Sequence, residues 1–169
     1  LNTNVTTGGG TFLNGGETII NDGANILGGD IKFTGGSTLI DNTPSYFTLS
    51  PNLVVEEGAV GNINFSNRCD FNGSLSGGGT FNIFSPSTLG TEGRVYFKGA
   101  SAGCTGKVNL SGGGSGRIAF YTNGGSFNGF NNARLHLDGI NLFTRNNSGG
   151  NTYSIGSLSG TADSILTGP

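Results

Sequence analysis

Apolar and polar residues alternate in short bursts along this chain, and each burst ends in a cluster of glycine, asparagine, aspartate or serine. The period-two pattern is clearest at Ile31-Lys32-Phe33, Ile63-Asn64-Phe65, Val95-Tyr96-Phe97, Ile118-Ala119-Phe120 and Leu135-His136-Leu137. Successive side chains of a β-strand point to opposite faces, so each triplet predicts a half-buried strand of four or five residues. No segment sustains a 3.6-residue period between helix caps, and almost no helix is expected.

The bursts are also self-similar. Gly8-Gly9-Gly10-Thr11-Phe12 returns 69 positions on as Gly77-Gly78-Gly79-Thr80-Phe81, and Gly73-Ser74-Leu75-Ser76-Gly77 returns 83 positions on as Gly156-Ser157-Leu158-Ser159-Gly160. Either interval holds three or four turns of roughly 20 residues, within the range of stacked repeats. Glycine makes up 34 of the 169 residues, which suits sharp corners and close backbone approach. A glycine-cornered sandwich is the competing architecture, but the imperfect repetition favours an all-β parallel β-helix, a β-solenoid, as one domain over residues 1–169. Its interior is then a column of Ile, Val, Leu and Phe, and its open ends call for a cap or a neighbouring domain. The segments from Pro44 through Ser45, Tyr46 and Phe47 to Pro51, and from Phe84 to Gly93 with Pro86, are expected to loop out, because proline withholds a ladder donor. Tyr46 and Phe47 then either wall a groove or fold back over the column.

Composition narrows the partners. Only 11% of residues are charged and the net charge is −2, so there is no basic surface to hold nucleic acid. No apolar run approaches the roughly 18 residues of a membrane-spanning helix. The chain opens at Leu1 with no signal region, and is read as a piece of a larger multidomain protein. Abundant Asn, Ser, Thr and Gly with little Lys suggest a secreted or cell-surface protein, expected as a monomer. Cys69 and Cys104 are the two cysteines; in an exported chain a disulfide closing that loop would contribute about 3 to 4 kcal/mol, and two independent buried thiols are the alternative.

Catalytic and metal signatures are weak. Glu56 and Glu57 are adjacent, so on a strand they point apart, and nothing in the sequence brings Asp41, Asp70, Asp138 and Asp163 together. One histidine and no Ser-His-Asp signature argue against an enzyme. Gly113-Gly114-Ser115-Gly116 runs into Arg117 rather than the aspartate of a calcium repeat, and Asp22-Gly23-Ala24-Asn25 and Asp138-Gly139-Ile140-Asn141 read as turns. No cofactor or metal is expected.

The outward positions are more informative. If the apolar members of the later triplets point inward, then Arg94, Tyr96, Lys98, Arg117, Ala119, Tyr121, Arg134, His136 and Asp138 point outward. Stacked turns would align these side chains, Ala119 aside, into one strip in which tyrosine faces pack on sugar rings and charged groups bond to hydroxyls. A solvated face with tyrosines covering the column is the plain alternative. Phe127, Phe130 and Phe143 are either core or further platforms.

The stretches Gly73 to Phe81, Gly106-Lys107-Val108-Asn109-Leu110-Ser111-Gly112-Gly113 and Tyr153 to Gly160 resemble two groups of proteins: the strand repeats of autotransporter-type bacterial surface proteins, and the glycine-rich β-helical carbohydrate-binding modules of xylan-degrading Bacteroidetes enzymes. The second resemblance implies a non-catalytic, right-handed parallel β-helix that holds xylan or a related hemicellulose near a covalently attached catalytic domain. The first implies a structural segment of an adhesin or autotransporter passenger. Neither supplies a ligand motif, so the candidate residues rest on strand alternation alone. A truncated β-helical polysaccharide lyase or hydrolase is a third reading.

Overall fold

A computed structural model of the chain describes residues 10–21, 29–44, 46–86, 95–112, 116–122, 127–146 and 152–167. Every element among them is a β-strand, and the strands stack in parallel into three sheets. Sheet A holds β1 (Thr11–Leu13), β3 (Ile31–Phe33), β6 (Leu53–Val55) and β9 (Leu75–Ser76). Sheet B holds β2 (Gly16–Ile20), β4 (Gly36–Asp41), β7 (Val60–Phe65), β10 (Thr80–Phe84), β12 (Lys107–Ser111), β14 (Phe127–Asp138) and β16 (Tyr153–Gly160). Sheet C holds β5 (Phe47–Leu49), β8 (Cys69–Phe71), β11 (Val95–Phe97), β13 (Arg117–Thr122), β15 (Asn141–Asn146) and β17 (Ile165–Thr167). The chain visits the sheets in turn and returns one layer further along, which is the parallel β-helix that the alternation and repetition predict. Paired residues on adjacent turns lie as few as 20 positions apart, Thr11 with Ile31, and as many as 27, Thr80 with Lys107.

All five alternating triplets are strands, and their flanking apolar residues are buried. Inside sheet C the row Phe47, Cys69, Val95, Ile118, Leu142 runs along the axis beside a second row of Leu49, Phe71, Phe97 and Phe120. In that second row Phe71 meets Phe97 edge-on at 5.4 Å between ring centroids, and Phe97 meets Phe120 at 6.2 Å. Phe130 closes on Phe120 at 5.0 Å from the opposite wall. It is therefore core.

Glycine does two jobs here. At the corner entering sheet A, a Cβ on Gly73 would lie 2.0 Å from the Pro51 carbonyl oxygen, and one on Gly99 would lie 1.8 Å from that of Gly73, so the corners nest only without side chains. On the inner side of sheet B, a Cβ on Gly61 would meet Val55 at 2.8 Å and Phe33 at 2.9 Å, so the column has already filled that space from sheet A.

Three expectations change. The segment Phe47–Leu49 does not loop out: it is β5, with Phe47 and Leu49 in the core, because Pro44 and Pro51 sit at corners where no ladder N–H is required. Of the expected loop from Phe84 to Gly93, Phe84 instead ends β10, and the residues beyond Pro86 lie outside the described set. Cys69 and Cys104 are both free and buried, not disulfide-bonded; Cys69 belongs to sheet C, whereas Cys104 bridges to Gly77 beside sheet A. Finally, the sequence repeats do not mark equivalent positions. Thr11 is on sheet A and Thr80 on sheet B, and Leu75 is on sheet A and Leu158 on sheet B. The repeated unit is a corner and one flat side, used on different sides of the column.

Candidate functional site

The outward row of sheet C reads Thr48, Asp70, Tyr96, Ala119, Phe143 across successive turns, because the residues on either side of each face the column. Arg68, just before β8, Lys98, just after β11, and Tyr121 on β13 flank that row. They assemble into one cluster. The Arg68 guanidinium lies 5.0 Å from the centroid of the Tyr46 ring and 5.2 Å from that of Tyr96, held between the two. The Lys98 ammonium lies 5.9 Å from Tyr96 and 5.2 Å from Tyr121, and the two tyrosines meet edge-on at 6.0 Å. Aromatic faces carry partial negative charge, so each cation is stabilised while the rings are held in place.

Asp70 sits inside this array. Its Oδ2 accepts a hydrogen bond from the Tyr46 hydroxyl at 2.6 Å and forms an ion pair with Lys98. The hydrogen bond to the carboxylate, and then partial desolvation, raise the pKa of the Tyr46 phenol. Asp70 Oδ1 and Arg68 Nε are buried with no hydrogen-bond partner among the described residues. Further along the same face, Arg117 lies 5.4 Å from the Phe143 ring.

Sheet B presents different chemistry. Its central outward row is Thr38, Asn62, Asn82, Asn109, His136, Ser159. The amide of Asn82 donates to Asn62 at 2.8 Å and that of Asn109 to Asn82 at 2.7 Å, each linking one turn to the next. His136 Nδ1 lies 2.9 Å from the Ser159 hydroxyl. Arg134 and Asp138 flank His136 on the outside of β14, both exposed.

The single outward strip is therefore two. Tyr96, Lys98 and Tyr121 come together on sheet C, with Arg117 on the same sheet at the other end of β13, whereas Arg134, His136 and Asp138 stand on sheet B, around a corner of the column. Strand alternation gives the direction of each side chain but not the side of the column that carries it. Tyr96 does face outward, yet Arg68, Lys98 and Tyr121 cover it so fully that it is only 3% exposed. It supports neighbouring rings rather than offering a platform. Arg94 lies outside the described residues. Of the two phenylalanines left open with Phe130, Phe143 is half-buried beneath Arg117. The side chain of Phe127 lies outside the described residues.

Tyr46, Arg68 and Asp70 join the site although alternation did not select them. Tyr46 and Arg68 precede their strands, where period two gives no direction, and Asp70 was weighed only as a candidate catalytic carboxylate. The asparagine ladder did carry a signal: Gly61-Asn62-Ile63, Phe81-Asn82-Ile83 and Val108-Asn109-Leu110 place the amide centrally each time, 20 and then 27 positions apart. Asp41, Asp70, Asp138 and Asp163 do not converge, and no group of three His, Cys, Asp or Glu comes together among the described residues. Asp138-Gly139-Ile140-Asn141 is a turn, with Gly139 at φ +59°. No known protein family, curated protein or solved structure matches this chain.

Proposed function

We propose that this protein is a non-catalytic carbohydrate-binding module that holds a xylan-type cell-wall polysaccharide against the outer face of sheet C. A module of this kind, secreted or displayed at a cell surface, keeps an attached glycoside hydrolase at a raised effective concentration of its substrate. The observation that carries the reading is the array of Tyr46, Arg68, Asp70, Tyr96, Lys98 and Tyr121, which spans four successive turns on one flat side. It combines ring faces that pack on sugar C–H surfaces with charged groups that bond to hydroxyls, and its orientation is fixed by internal contacts. Tyr46 is 50% exposed, so a ligand has a ring to reach.

Affinity gel electrophoresis on xylan, pectin and β-glucan tests the reading. Xylan is expected to retard the protein, and Tyr121→Ala, losing a ring contact of about 1 kcal/mol, is expected to weaken binding roughly fivefold without changing the far-ultraviolet circular dichroism. Absence of retardation by every polymer removes the reading.

One observation favours a second reading, a structural segment of a surface adhesin or autotransporter passenger. Leu158 and Leu166 continue the inward rows of sheets B and C yet are 46% and 52% exposed, so the last described turn leaves apolar column positions uncovered. An intact fold that binds none of the polymers is the result that reading expects.

A further inference from the structure

We infer that the glycan held on sheet C is an acidic one, carrying carboxylates on its sugar rings. The inference rests on the binding reading above and names the ligand class more narrowly. It begins with charge. Asp70 is the single acidic side chain in the array, and it is already engaged by Lys98 and by the Tyr46 hydroxyl. Arg68 has no carboxylate partner among the described residues. The array therefore keeps a positive charge on a protein whose net charge is −2, so the sign on this face is opposite to that of the whole chain.

Geometry agrees with the charge. A guanidinium is a planar fork of donors that matches a carboxylate through two parallel hydrogen bonds. Arg68 is held between the rings of Tyr46 and Tyr96, so little orientational freedom remains to be lost when an anion arrives. Tyr46, half-exposed on the other side of the Arg68 guanidinium from Tyr96, offers a ring to the neighbouring sugar. Uncharged sugars would use the ring faces but leave the cation without an anionic partner; a uronate uses both.

Glucuronoxylan compared with the same polymer after carboxyl reduction tests this, with dextran sulfate as a further arm and affinity electrophoresis as the readout. The expected result is retardation by native glucuronoxylan at least about tenfold stronger than by the reduced polymer, weakening as salt rises. Arg68→Gln is expected to abolish the difference between the two polymers, and Arg68→Lys to restore only part of it. Equal binding to native and reduced polymer overturns the inference and leaves carbohydrate binding standing, whereas binding to neither overturns both. Dextran sulfate retarding the protein as strongly as glucuronoxylan also overturns it, since the array would then read charge without the carboxylate. The wild-type comparison of native with reduced polymer decides the matter even if an Arg68 variant fails to fold.

Discussion

Phe97→Ala removes the middle ring of the phenylalanine row inside sheet C. Phe97 is 1% exposed and meets Phe71 and Phe120 edge-on, so truncation leaves a ring-sized cavity with packed walls on both sides along the axis. Buried Phe→Ala changes cost about 3 to 5 kcal/mol, and the loss of two edge-on ring contacts puts this site in the upper half of that range, about 4 kcal/mol. Each turn touches only its neighbours, so the damage should be local. Urea unfolding followed by tyrosine fluorescence suits the measurement: there is no tryptophan, and Tyr96 and Tyr121 sit on the outer side of the affected strands. Amide hydrogen exchange should show β8, β11 and β13 losing protection before β1 to β4. Phe12→Ala, at a ring that is 62% exposed, is the control and should cost under about 0.5 kcal/mol. A loss below about 1.5 kcal/mol for Phe97→Ala, or one no larger than the control, would refute the packed column.

Two further outcomes follow from buried titratable groups. Asp41 is buried at the end of β4 with Oδ1 accepting from the Thr43 amide at 2.9 Å and Oδ2 unpartnered among the described residues, and desolvation raises its pKa above the ordinary 3.8. The folded state then holds this proton more tightly than the unfolded chain, so its contribution to stability is full below pH 3.8 and is lost as pH rises through the folded pKa. Asp41→Asn should accordingly raise the urea midpoint at pH 7 and leave it nearly unchanged at pH 3; equal effects at both would contradict the burial argument. Cys69 and Cys104 are free, and burial raises both thiol pKa values. Neither should react with a thiol reagent in the folded protein, and both should react in urea without reductant; a chain that needs reductant before labelling would reveal a disulfide.

Much of the fold was legible in the sequence, and most of the site was not, for one physical reason. Alternation is a local property. Val95-Tyr96-Phe97 and Leu135-His136-Leu137 announce strands with equal clarity, and both are strands with buried flanks. What separates them is the turning of the chain at corners, which decides that Tyr96 belongs to sheet C and His136 to sheet B. The same locality makes Thr11 and Thr80 repeats in sequence but residents of different sheets. Phe47–Leu49 was obscured because two prolines bracket a three-residue strand, and a proline at a corner looks the same as a proline in a loop. Arg68 was hidden because it precedes a strand, and Tyr46 was legible only as a groove wall or a cover for the column; three-dimensional packing alone shows the guanidinium lying between the rings of Tyr46 and Tyr96.

Glycan binding on sheet C is tested most directly by amide chemical-shift mapping on an isotopically labelled chain titrated with a glucuronic-acid-bearing xylo-oligosaccharide. Shifts are expected to concentrate at Arg68, Asp70, Tyr96, Lys98 and Tyr121, with Asn62, Asn82, Asn109 and His136 unmoved. Shifts centred on the asparagine ladder and Arg134 instead, or none at saturating oligosaccharide, would contradict it.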